Sequence, residues 1–219
     1  MNHMVKLVGR SVGARRRLSA LATALVCLAL GACAIGPQAV PAPDSYDLGP
    51  PRAHTPQAPL IRATLALPGI TPPAWLDHQG IIYRLSYQDA ARPQAYAHSR
   101  WSAPPAQLLT QRARSRFAAA STGVVPGEDG TRADYVLRIE LEDFSQSFDA
   151  VKQSRVSARA RATLVRLADR TLLAQRTFAV VREAEPDAPG AVRALAEAAD
   201  AMIEEMLAWI AERLKSGRP

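Results

Sequence analysis

The sequence predicts an α+β fold, a mostly antiparallel sheet with two main helices packed on one face, following a signal peptide and a proline-rich tether. Three observations predict it. Residues 135–142 and 155–164 alternate apolar and polar side chains, the pattern of half-buried strands. Residues 192–214 repeat apolar positions at three and four, the period of an amphipathic helix. Pro104 and Pro105 stand at the head of a second apolar stripe, where proline suits a first helical turn.

The chain opens with Lys6, Arg10, Arg15, Arg16 and Arg17 and no acid, then an apolar run over 18–30. That is the charged and apolar sequence of a secretory signal. Leu30-Gly31-Ala32-Cys33 closes it, which resembles the lipobox of bacterial lipoproteins, where the cysteine thiol receives a diacylglyceryl group. Met4 serves as well as Met1 for a start. A transmembrane anchor is the competing reading, because the run approaches the ~18 residues of a spanning helix. The expected division is a signal peptide over 1–32, a lipidated Cys33 and tether over 33–59, and one domain over 60–219.

Processing changes the charge. The whole chain is +7 with 27 basic and 20 acidic residues, and its pI is about 10.0. Five of the basic residues and none of the acids precede Cys33, so the mature excess is only +2. No zinc-finger or aromatic RNA-binding signature interleaves the arginines, and no nucleic-acid partner is expected. Cys27 leaves with the signal, and a lipidated Cys33 leaves no disulfide within the monomer, so the core must stabilise the domain.

Residues 34–59 hold seven prolines and few large apolar groups, which favours extended polyproline conformations and a reach of roughly 80 Å. Tyr46-Asp47-Leu48-Gly49 is the apolar exception, a patch suited to docking on the domain or a partner. Residues 60–67 alternate weakly, and Pro72-Pro73-Ala74-Trp75-Leu76-Asp77 suits a turn or helix start. Residues 80–87, rich in β-branched and aromatic side chains, predict a strand with 94–100 as its hairpin partner. Ser102 is placed to cap the helix opened by Pro104 and Pro105, with Ala106, Leu109, Ala113 and Phe117 on one face and an end near Gly123.

In the second half, Tyr135, Leu137, Ile139 and Leu141 face in while Arg138, Glu140 and Glu142 face out. A loop is expected around Ser147-Phe148-Asp149. The next strand turns Val156, Ala158, Ala160, Ala162 and Leu164 inward, and the third, over 171–182, shares Leu172, Ala174, Phe178 and Val180 on one face. Asp187 is placed to cap the last helix, and Trp101 and Trp209 read as core anchors.

Catalytic signatures are sparse. Outside the signal the histidines are His54, His78 and His98, none with a second ligand at metal spacing. No nucleophile elbow, phosphate loop or His-Glu-x-x-His helix occurs, so no catalytic residue, metal or cofactor is expected beyond the lipid on Cys33. Two features suit partner or lipid-headgroup contact. Arg155, Arg159 and Arg161 line one strand face, although cross-strand pairs with Glu140 and Glu142 suit the same arginines. Trp75 beside two prolines suits an interface, or the plugging of a sheet edge.

In order, the lipobox, Tyr46-Asp47-Leu48, Tyr83-Arg84-Leu85, Tyr96-Ala97-His98-Ser99-Arg100-Trp101-Ser102-Ala103-Pro104-Pro105, Ala133-Asp134-Tyr135-Val136-Leu137-Arg138-Ile139-Glu140 and Ala208-Trp209-Ile210 resemble the ABC-type transport auxiliary lipoprotein family, typified by the paraquat-inducible protein C lipoproteins. The likeness spans nearly all of the mature chain. It implies an accessory to an ABC permease, an ATPase and a periplasmic MCE-domain protein, a system that moves lipids or other hydrophobic molecules between membranes. Ala34 in place of an aspartate after Cys33 points to the periplasmic face of the outer membrane. A ring of copies is compatible with this reading. The alternatives are an assembly lipoprotein scaffolding another envelope complex and, further off, a periplasmic hydrolase.

Overall fold

The computed structural model describes residues 42–51, 59–127 and 130–216, and those from Pro43 onward belong to one compact unit. The signal peptide, Cys33 and His54 lie outside the described residues. The described elements are β1 (Asp44–Tyr46), β2 (Ile61–Ala66), a 3-10 turn (Ala74–Leu76), β3 (Gly80–Leu85), α1 (Ser86–Asp89), β4 (Gln94–Trp101), α2 (Pro105–Ala120), β5 (Ser121–Val125), β6 (Tyr135–Ala150), β7 (Gln153–Arg166), β8 (Leu172–Ala184) and α3 (Ala188–Ser216).

Long strands β6, β7 and β8 form an antiparallel meander. Its inner face is made by Val156, Ala158, Ala160, Ala162 and Leu164, all fully buried. The small alanines let α3 lie on β7 and β8. Val192, Leu195, Ala199, Met202, Ile203, Met206, Leu207 and Ile210 give the helix its buried stripe. At ~25 cal/mol per Å² of apolar surface removed from water, this stripe is what holds the helix on the sheet. Asp187 caps α3 as the sequence suggests, its Oδ1 accepting the Gly190 amide at 2.7 Å.

The sheet is mixed rather than mostly antiparallel. Along its second edge, β6 pairs in parallel with β2 near its start, at Leu65 opposite Tyr135, and with β3 near its end, at Tyr83 opposite Gln146. Thr71 bridges the gap, receiving from and donating to the β6 backbone between them. Two short arms branch off, β2 to β5 and β3 through β4 to β1, and both outer pairings are parallel. Side-chain alternation reveals that a strand exists and which face is buried, and by itself favours antiparallel pairing, so the parallel partners on the other edge of β6 left no signal in it.

Three further local differences have physical causes. The expected loop at 147–149 is strand, because a bulge after Leu141 shifts register by one, so Phe144, Gln146 and Phe148 replace the odd-numbered series on the buried side. The chain turns only at Val151 and Lys152. Ser102 does not cap α2, whose N-cap is Pro104 without a side-chain bond; the Ser102 amide instead donates to Tyr46 O at 2.6 Å. The stretch read as helix end becomes β5, where Thr122, Val124 and Val125 favour extended backbone.

Within the stretch read as tether, Asp44–Tyr46 is a strand and Leu48 is buried in the core. Leu172, expected inside, is 58% exposed because a register shift between Leu164 and Val165 sets it opposite Val165, and Leu173 packs on the core instead. Trp101 is fully buried against Phe144 at 5.7 Å between ring centres, and Trp209 meets Phe178 at 5.6 Å.

Candidate functional site

The arginine row lies on the face of β7 opposite α3, with Arg155, Arg159 and Arg161 all exposed. Cross-strand register sets Arg155 opposite Ser147, Arg159 opposite Asp143 and Arg161 opposite Glu140. Arg161 contacts Glu142 at 2.6 Å and Glu140 at 3.8 Å, and Arg155 contacts Asp149 at 3.0 Å. Such exposed pairs contribute only ~0–1 kcal/mol each, so their acids leave the surface near neutrality without fixing it. No ion pair forms to Arg159 among the described residues. On β8, Arg159 faces Ala179, with Thr177 and half-exposed Val181 to either side. This sheet face is therefore a polar field in which, among the described residues, neither Arg159 nor exposed Arg138, opposite Thr163, forms an ion pair.

Trp75 is half-buried on the 3-10 turn and packs on the core. The Arg84 guanidinium stands 4.9 Å from its ring centre, a cation–π contact that covers the indole. Among the described residues no bond or ring contact joins Trp75 to the arginine row, so these four residues do not form one site. His78 Nδ1 accepts the Gly80 amide at 2.9 Å, a turn contact, and His98 is exposed on β4. No group of three or more His, Cys, Asp or Glu among the described residues suits a metal, and no described helix is long and apolar enough to cross a membrane.

Two polar constructions escaped sequence reading. The first is a strap, residues 46–49, laid between α2 and α3. Buried Arg112 donates to Leu48 O at 2.5 Å and Gly49 O at 2.7 Å, while its other terminal nitrogen stands 3.4 Å from Asp200. Gly49 turns the strap at φ +67°, which suits glycine, and its amide donates to Asp47 Oδ1. Arg116 and Glu204 form a second ion pair between the two helices. Shallow clefts of about 340 and 230 Å³ flank the strap.

The second is a buried network around Gln146. It accepts from Tyr96 Oη at 2.6 Å and donates to Ser154 Oγ at 2.8 Å and Glu185 O at 2.9 Å. Burial, and then the charges of Asp187 and Tyr83, push the Tyr96 phenol above its ordinary value. The bonds tie β4, β6, β7 and the start of α3 together at one end of the sheet. Tyr83 stacks on Tyr96 at 4.7 Å and meets Phe148 edge-on at 5.9 Å. At the opposite end, clefts of about 400 and 660 Å³ open beside Tyr135, bordered by Leu60, Leu214 and Leu167.

The arrangement defines an α+β domain without a concentrated reactive centre among its described residues, and solved structures share the fold. A crystal structure of a Xanthomonas campestris protein of the DUF330 family superposes with a TM-score of 0.68 at 20% identity, covering 80% of this chain and 99% of that one. A second, an uncharacterised protein, gives 0.60 at 16% identity over 77% of this chain and 99% of its own. No curated protein matches the chain. Residues 46–207 match the ABC-type transport auxiliary lipoprotein component family, and the chain belongs to that family. It is thus an auxiliary lipoprotein component of ABC-type transport systems and associates with their components. The match begins at Tyr46, the last residue of β1.

Proposed function

We propose that the protein is anchored through a lipid on Cys33 to the periplasmic face of the outer membrane and serves a transporter that moves lipids or other hydrophobic molecules between membranes. Its direct partner is a periplasmic MCE-domain protein, which works with an ABC permease and ATPase. The observation that carries this reading is the family match across 46–207, joined to the Leu30-Gly31-Ala32-Cys33 lipobox. Residues 1–32 are then removed as signal peptide. Ala34 supports outer-membrane placement, and three acyl chains at ~0.8 kcal/mol per buried CH₂ make the anchor effectively permanent.

The protein's part is docking. Arg155, Arg159 and Arg161 on the sheet face, with Trp75, remain the side chains proposed to meet a partner or lipid headgroups, and Arg159, which forms no ion pair among the described residues, is the strongest of them. A ring of copies around the MCE assembly fits this role. The test is an affinity pull-down of the lipidated protein after crosslinking in its native envelope, with mass spectrometry of partners and of the N-terminal peptide. The expected result is an MCE-domain protein together with triacylated Cys33. A modified Cys33 with only unrelated partners would overturn the transport reading and leave the lipoprotein one.

A further inference from the structure

The direction in which the chain enters the domain orients it against its membrane. β1 runs parallel to β4, β4 antiparallel to β3, and β3 parallel to β6. The N-terminus of β1 therefore points toward the end where β6 turns into β7. At that end Val151 is 71% exposed and Tyr87 of α1 is 42% exposed. A 2.6 Å bond between Ser86 Oγ and Ser147 Oγ holds α1 beside β6, next to that turn. Two exposed apolar residues alone would carry no meaning. Their position at the end the anchor reaches gives them one.

We propose that this end, made of α1, the β3–β4 connection and the β6–β7 turn, rests on the anchoring bilayer, with Tyr87 and Val151 in contact with lipid. The inference depends on lipidation of Cys33. Asp44 pairs with Ser99, and Tyr83 with Gln146, which sets Asp44 about seven strand residues, or ~23 Å, from Val151. Ten residues, or eleven Cα–Cα steps, separate Cys33 from Asp44, and those steps span at most ~40 Å. That length passes the Val151 end with about 15 Å to spare. Leu60 lies the other way, about 46 Å along the strands at ~3.3 Å per residue, beyond the reach of even a fully extended chain. The Arg112 clamp on Leu48 and Gly49 keeps the strap from peeling away and lengthening the tether.

Charge does not select this end. Exposed Arg92, Lys152 and Arg155 are matched there by Asp89, Asp149 and Glu183, so apolar insertion carries the contact. The far end, with Leu60, Leu167 and Leu172 exposed, is thereby turned toward the periplasm.

The experiment uses the mature lipidated protein in phosphatidylcholine vesicles containing brominated acyl chains. Val151→Cys, Tyr87→Cys and Leu172→Cys each carry a bimane fluorophore, with Cys33 blocked by its lipid and verified by mass. The expected result is several-fold stronger quenching at 151 and 87 than at 172, unchanged when phosphatidylglycerol is added. Equal quenching at the three positions, or stronger quenching at 172, overturns the orientation. Quenching that requires phosphatidylglycerol overturns the apolar contact. An unmodified Cys33 in protein that stays off the vesicles overturns the lipoprotein reading itself, and the orientation with it.

Discussion

Arg112 is 8% exposed, yet it holds two strap carbonyls and faces Asp200. Removing it strands those two strap acceptors and takes one contact from the Asp200 carboxylate, which together typically cost ~3 kcal/mol. Arg112→Ala should lower stability by about that amount in urea unfolding and expose the chain near residue 50 to limited proteolysis. A loss below ~0.5 kcal/mol would show that the strap does not depend on the clamp. Its role was illegible in the sequence, because Arg112 and Arg114 both flank the α2 apolar stripe and periodicity does not say which of them turns inward. Tyr96 gives a pH-dependent counterpart. Its phenol is raised above the ordinary 10.0, so the folded state holds the proton more tightly than the unfolded one. The contribution is complete below pH ~10 and declines as pH rises further. Denaturation between pH 9 and 11 should show wild type losing stability more steeply than Tyr96→Phe, and parallel slopes would refute the burial argument. Asp187 was legible as a cap, and Asp187→Ala should cost ~1 kcal/mol in thermal unfolding.

At the level of elements, the alanines of β7 set how closely α3 approaches. Ala160→Leu places a branched side chain where no space exists, and should cost ~1–3 kcal/mol by overpacking. The same change at exposed Arg159 should stay within about 0.5 kcal/mol, as paired chemical melts would register. Period-two patterning was sufficient to find β6, β7 and their buried faces. It failed at the far end of β6, because the bulge after Leu141 inverts which parity is buried. β1 and β5 were missed for a different reason. Each is an edge strand of three or five residues, too short for alternation to stand out, and β1 lies among prolines that suggested a tether. Long α3, with its stripe and its Asp187 cap, was readable throughout.

For the molecule as a whole, the α+β composition was readable, whereas the mixed pairing was not. Partner direction in a sheet depends on connections such as the run through Thr71, which leave no mark on local hydrophobicity. The lipobox and the ordered short motifs pointed to the family that residues 46–207 match. The candidate contacts dispersed on folding, with Trp75 covered by Arg84 and two of the three arginines paired to acids. What the three-dimensional fold adds is the direction in which the chain enters the domain, on which the proposed anchor-side and periplasmic ends rest. The central claim is that this lipoprotein engages a transporter while held at its membrane. Its most direct test is photo-crosslinking in cells from a benzophenone residue at Leu172, Arg159 or Val151, with Cys33→Ala as the unanchored control. The account predicts adducts to an MCE-domain protein from 172 or 159 that disappear in Cys33→Ala, with none from 151. Adducts from no position to any transporter component, in protein that is correctly lipidated, would contradict it.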